Sequence, residues 1–152
     1  MIDDALATFL QQGLGINIGT RDAALEPHAA YVPAARVEAG GTHLTVFVPA
    51  VGADEVLADL ADNGQAAVVF ARPEDDRACQ VKGIFEAAAP AGEADRTFIA
   101  AQYAGFMRQL ETIGASGEHL RTWTTWPCVA VRLRVTALFS QTPGPDAGAP
   151  LS

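Results

Sequence analysis

Residues 128–141, Cys128-Val-Ala-Val-Arg-Leu-Arg-Val-Thr-Ala-Leu-Phe-Ser-Gln141, decide how the rest of the chain is read. Val129, Val131, Leu133 and Val135 fall on one side of an extended backbone, and Arg132 and Arg134 fall on the other. This period of two marks a strand with one buried and one solvated face. The same pattern recurs upstream in Leu14 to Thr20, through Leu14, Ile16 and Ile18, and in Thr42 to Pro49, through Leu44, Val46 and Val48. Gln65 to Ala71 is a short apolar strand, and Ala78 to Ala89 is its partner across the acidic, proline-broken connection Arg72 to Arg77. The run from His28 to Glu38 alternates weakly. Pro33 interrupts it and cannot donate to a ladder, so an edge, bend or bulge is expected there.

Three helices separate these strands. Residues 3 to 12 place Leu6, Phe9 and Leu10 on one face before Gly13, and residues 53 to 62 do the same with Val56, Leu57 and Leu60 before Asn63-Gly64. The longest, from about Glu93 to Ile113, carries Ile99, Tyr103, Phe106, Leu110 and Ile113 on one stripe. Gly114 to Trp126 reads as irregular. About six strands, mostly joined by short turns, predict a mainly β fold: a six-stranded antiparallel split β-barrel of Greek-key type with two or three peripheral helices. Residues 1–148 form one domain and 149–152 a flexible tail. A doubly wound sheet is disfavoured, because no glycine-rich dinucleotide loop follows the first strand.

The 152 residues are 49% hydrophobic with a mean hydropathy of +0.15, which suits one globular domain. A net charge of −8 repels phosphate backbones and anionic bilayers, and Lys82 is the only lysine, so neither nucleic acid nor membrane is an expected partner. Met1-Ile2-Asp3-Asp4 lacks a basic leader start, and no apolar run approaches a span of about 20 residues, so a cytoplasmic location is expected. Cys79 and Cys128 then read as reduced core thiols. His28, His43 and His119 have no metal-ligand spacing and predict no metal; Ser116 and Ser140 lack a nucleophile-elbow context.

The order of elements resembles the pyridoxamine phosphate oxidase-like, FMN-binding split-barrel family. The strings that carry the resemblance are Ile16-Asn17-Ile18-Gly19-Thr20 to Glu26-Pro27, Leu60-Ala61-Asp62-Asn63-Gly64, Gln80-Val81-Lys82-Gly83 and Gln141-Thr142-Pro143-Gly144-Pro145-Asp146-Ala147-Gly148. The resemblance implies FMN as cofactor, a homodimer with flavin at the subunit interface, and oxidoreductase chemistry in which the flavin transfers the electrons or hydride. No side chain is assigned as catalytic. It points to Gln80, Lys82, Thr142, Pro143 and Gly144 as cofactor-binding: a cation and an amide on one strand face, and a rigid turn that lets backbone approach a flat ring.

Two departures qualify this. Family members offer a serine, an arginine and a lysine at the start of the helix after strand three, where Asp54-Glu55-Val56 stand here. Two carboxylates suit the helix dipole but repel a phosphate, so a phosphate would need Lys82, Arg132, Arg134 or a partner chain's arginine. After Arg134 the chain has no Arg, Lys or His, which argues against oxidation of pyridoxamine phosphate itself. The alternative is a split barrel that has lost FMN and holds another planar or anionic small molecule, or haem, without turnover.

Overall fold

The computed structural model describes residues 1–115 and 122–151; Ser116 and His119 lie outside them. Ten elements follow one another. They are α1 (Asp4–Leu10), β1 (Gly15–Arg21), β2 (Pro27–Tyr31), β3 (Ala34–Val37), β4 (His43–Pro49), α2 (Asp54–Asn63), β5 (Gln65–Ala71), β6 (Ala78–Pro90), α3 (Glu93–Thr112) and β7 (Cys128–Ser140). The strands form one antiparallel sheet in the order β2-β1-β5-β6-β7-β4-β3.

The strand count is seven, not six, and Pro33 is the reason. The weak run from 28 to 38 is two strands: β2 pairs with β1, and β3 pairs with β4 at the opposite end of the sheet. Only Val32 and Pro33 separate them, both buried. Two strands that are edges of one sheet yet almost contiguous in sequence force the sheet to curl until its ends approach, and this makes the split barrel. The Val32 N–H still donates to the Ile16 carbonyl at 2.9 Å, so pairing to β1 runs up to the proline.

Inside the curl lie Ile16, Ile18, Leu44, Val46, Val48, Val68, Phe70, Val81, Val131 and Leu133. Phe9 and Leu10 of α1 and Val56 and Leu60 of α2 join the same core. Helix α1 is started by Asp3, whose carboxylate accepts from the Leu6 N–H at 2.7 Å, and α2 ends on Gly64 in the left-handed conformation. Helix α3 lies outside the barrel. Its Ile99 packs with Phe47 and Cys128, on the face of β4 opposite Val46 and Val48. Gln102 grips the free edge of β3: its amide donates to the Ala35 carbonyl at 2.9 Å and accepts from the Ala35 N–H at 3.1 Å.

Pairing of β4 with β7 stops at Arg134, which leaves one side of residues 138–140 open. The C-terminal segment fills it. Ser140 donates to the Ala149 carbonyl and Leu151 to the Leu138 carbonyl, both at 2.9 Å, and Phe139 bridges Pro150. The proline-rich composition of 142–150 gives no hint of this return.

Candidate functional site

Register fixes what shares the outer face of β1, β5 and β6. One cross-strand row is Gly19, Ala67, Lys82 and Ala137; the next is Asn17, Val69, Gln80 and Phe139; a third ends on Ala71 and Ala78. Glycine and alanine dominate the first and third rows, whereas the inner face of the same strands carries Ile16, Ile18, Val68 and Phe70. Helix α2 packs inward, and α3 covers the β3–β4 side and reaches the start of β1, where its Phe106 ring lies against Gly15; among the described residues no helix contact is seen on the Gly19–Ala67–Lys82 row.

The five expected cofactor residues lie along this strip but do not converge on one point. Gln80 and Lys82 share the outer face of β6, as the alternation predicts, with Lys82 exposed and its Nζ 5.1 Å from the Phe139 ring centroid. Thr142 sits at the far end. Its hydroxyl accepts from the Ala78 N–H at 3.0 Å and lies 3.3 Å from the Ala78 carbonyl, and Pro143 and Gly144 follow as an exposed turn with Gly144 at φ 146°. Lys82 lies four residue steps along β6 from Ala78, about 13 Å.

Lys82 has a neighbour that the sequence pattern missed. A cavity of about 300 Å³ is lined by Gly19, Thr20, Arg21, Gln65, Ala66, Ala67 and Lys82. Arg21 reads in the sequence as the start of a turn, yet it is the last residue of β1 and points to the same side as Gly19. Its guanidinium donates once, to the Asp22 carbonyl at 3.1 Å. No signal in a single sequence places it near Lys82, because the two meet only through the β1–β5–β6 register.

Arg132 and Arg134, the other candidates for a phosphate clamp, are engaged elsewhere. Arg132 forks onto Glu38, with Nε to Oε1 at 2.8 Å and Nη2 to Oε2 at 2.9 Å, and Nη1 binds Glu86. Thr45 donates to Glu38 at 3.0 Å, and His43 and Arg134 lie 3.3 and 3.5 Å from Glu86. The Arg132 hydrogen bonds hold the Glu38 carboxyl below its ordinary range.

On the inner side of β1, Thr20 donates to Asp59 at 2.7 Å, and His28 Nδ1 lies 2.8 Å from the same carboxylate oxygen. The Thr20 bond holds Asp59 below the usual carboxylate range, and the bond to Asp59 raises His28. This triad ties β1, β2 and α2 together. Burial pushes both thiols up to about 11, so Cys79 and Cys128 are inert core groups, unpaired as expected.

A second cavity, of about 340 Å³, lies at the split between β2 and β4 and is lined by Ala30, Tyr31, Pro49, Val51, Gly52, Trp123 and Thr124. The Tyr31 and Trp123 rings are 4.7 Å apart. Gly52 leads into α2, whose exposed first residues are Asp54 and Glu55, so this cleft is aromatic and bordered by negative charge. Among the described residues no group of three or more His, Cys, Asp or Glu is placed to hold a metal ion, and no helix is long and apolar enough to cross a membrane.

No family model and no curated protein matches the chain. Solved structures do. HupZ of Group A Streptococcus is 16% identical with a TM-score of 0.58, over 97% of this chain and 100% of that one. An FMN-binding protein from Syntrophomonas wolfei is 14% identical with a TM-score of 0.54, over 88% and 82%. HutZ, the haem storage protein of Vibrio cholerae, is 14% identical with a TM-score of 0.50, over 91% and 94%. At these identities the likeness shows the fold, and that fold is the split barrel implied by the resemblance to the pyridoxamine phosphate oxidase-like proteins.

Proposed function

We propose that this chain is an FMN-binding flavoprotein of the pyridoxamine phosphate oxidase-like kind, working as a cytoplasmic homodimer with the flavin against the outer face of β1, β5 and β6. The observation that carries this reading is that face, where rows of glycine and alanine flank Gln80 and Lys82 on one strand and the Gly19–Ala67–Lys82 row shows no helix contact among the described residues. Small side chains let a flat ring or a second sheet approach the backbone closely, and Gln80 offers an amide to the polar edge of such a ring. A second copy of the chain would cover the same strip and leave fewer apolar atoms wet.

Bound flavin would supply electron or hydride transfer, while the protein supplies orientation, electrostatics and exclusion of water. Gln80 and Lys82 would orient the ligand, and the Thr142-Pro143-Gly144 turn, anchored to Ala78, would bound the strip at one end. The lack of any basic group after Arg134 separates this activity from oxidation of pyridoxamine phosphate.

The visible spectrum of protein purified without added cofactor tests the reading. The visible absorption bands of a flavin are expected, either at once or on addition of FMN. A Soret band would favour the haem-binding reading that shares this fold, and protein that stays colourless with either group removes both. A chain that remains a monomer by light scattering removes the dimeric site.

A further inference from the structure

We infer that Arg21 and Lys82 together form a binding site for a phosphate group, which replaces the basic loop missing at Asp54-Glu55; as the seat of a flavin phosphate it rests on the reading above. Acidic residues outnumber basic ones by 18 to 10, so most cations find carboxylates. Arg36 pairs with Asp95, Arg72 with Asp75, Arg96 with Glu93, and Arg132 and Arg134 with Glu38 and Glu86. Among the described residues Arg21, Arg77, Arg108 and Lys82 have no carboxylate partner; Arg77 lies over the Phe9 ring, and of the four Arg21 and Lys82 line one cavity together.

The cavity floor explains why they can share a ligand. On neighbouring strands, Gly19 and Ala67 stand directly opposite each other, and Lys82 stands opposite Ala67 on the next. Ala67 and Gln65 of the intervening strand β5 stand between the two cations. Their Cα atoms are about 12 Å apart, from two strand spacings and one two-residue step. The Lys82 ammonium lies over the Phe139 ring on the β7 side, and its flexible four-carbon stem lets it swing across Ala67 towards Arg21 when an anion binds. Arg21 keeps most of its N–H fork free after its one bond to the Asp22 carbonyl, and Lys82 brings three donors. Gln65 adds an exposed amide at the rim.

The nearest carboxylates are committed elsewhere. Asp22 accepts from the Ala24 and Glu26 N–H groups within its turn, and Asp59 faces inward to Thr20 and His28. Two unpaired cations at the mouth of a small cavity favour a compact dianion over a monocarboxylate, because two positive charges are then balanced by two negative ones. The class of ligand is therefore a phosphate monoester, and the phosphate of FMN is one source of it.

Because Lys82 is the only lysine, its amine can be watched alone. Reductive methylation with ¹³C-formaldehyde labels Lys82 and the N-terminal amine and keeps both charges. Titration with inorganic phosphate is expected to move the Lys82 signal saturably and leave the N-terminal one in place, with Arg21→Gln weakening the response about tenfold or more, the loss of one charge-assisted contact. A response matched by sodium chloride at equal ionic strength, or unchanged in a folded Arg21→Gln variant, overturns the site. Adding FMN and riboflavin to the same sample separates the two readings. Movement with FMN and none with riboflavin identifies the flavin phosphate as the source, whereas saturation by phosphate with no response to FMN keeps the site and removes the flavin.

Discussion

The outer face of this barrel holds two groups of cations that look alike in the sequence and behave oppositely in the fold. On β7, Arg132 and Arg134 are held by Glu38 and Glu86, carboxylates delivered by the register of β3, β4 and β6. Across the sheet, Lys82 stands between Ala67 and Ala137 and Arg21 stands opposite Pro27, so the register brings neither a carboxylate. An arginine on an alternating strand is therefore structural or ligand-seeking according to which residue stands on the neighbouring strand.

The comparison can be broken first at its base. Leu133 lies between Arg132 and Arg134 but faces the core at 0% exposure. Leu133→Ala is expected to cost about 2–5 kcal/mol of unfolding free energy in denaturant melts, by loss of transfer energy and opening of a cavity. That is the largest effect, and it should leave phosphate affinity unchanged wherever the protein remains folded.

Arg132→Ala is expected to lower the melting temperature clearly but less, because it leaves Glu38 and Glu86 facing each other without their shared cation. Its signature is pH dependence. Glu38 titrates below its ordinary range in the folded protein, so its contribution is complete above the unfolded carboxyl pKa and is lost as the pH falls through the folded value. Without Arg132 that acid limb should flatten in thermal melts followed from neutral to acidic pH. An unaltered limb would mean the network contributes nothing to stability.

Thr20 and Arg21 sharpen the contrast, since adjacent residues of one strand face opposite sides. Asp59→Asn weakens the inner triad and should lower stability with no effect on phosphate binding. In the native triad Asp59 is depressed and His28 raised. The Asp59 contribution is thus lost as pH falls through its folded value, and the His28 contribution as pH rises through its own. Stability from this triad should peak on the mildly acidic side of neutrality, and Asp59→Asn should remove that peak.

The barrel was legible because it is written in local alternation. Leu44, Val46 and Val48 face inward as their spacing predicts, and the helices begin and end within a residue or two of the expected positions. The seventh strand escaped because Pro33 marks a break without saying that the two halves travel to opposite edges. The placement of Gln80 and Lys82 on one outer face followed from period two alone. Arg21 escaped for the reason that Arg132 looked available: charge partners across strands are set by register, and register is not written in one strand.

Lys82→Met and Arg21→Gln should perturb stability least of all, yet they carry the functional side of the comparison. Glu55→Arg provides the control at the other location: selective tightening of FMN by that change would place the phosphate at the start of α2 rather than over Ala67. The direct test is titration of the native protein with FMN and riboflavin side by side, by quenching of flavin fluorescence, repeated with Lys82→Met. FMN is expected to bind about ten to a hundred times more tightly than riboflavin, and Lys82→Met to bring the two affinities together. Equal affinities in the native protein, or a preference for FMN that survives loss of Lys82, would contradict it.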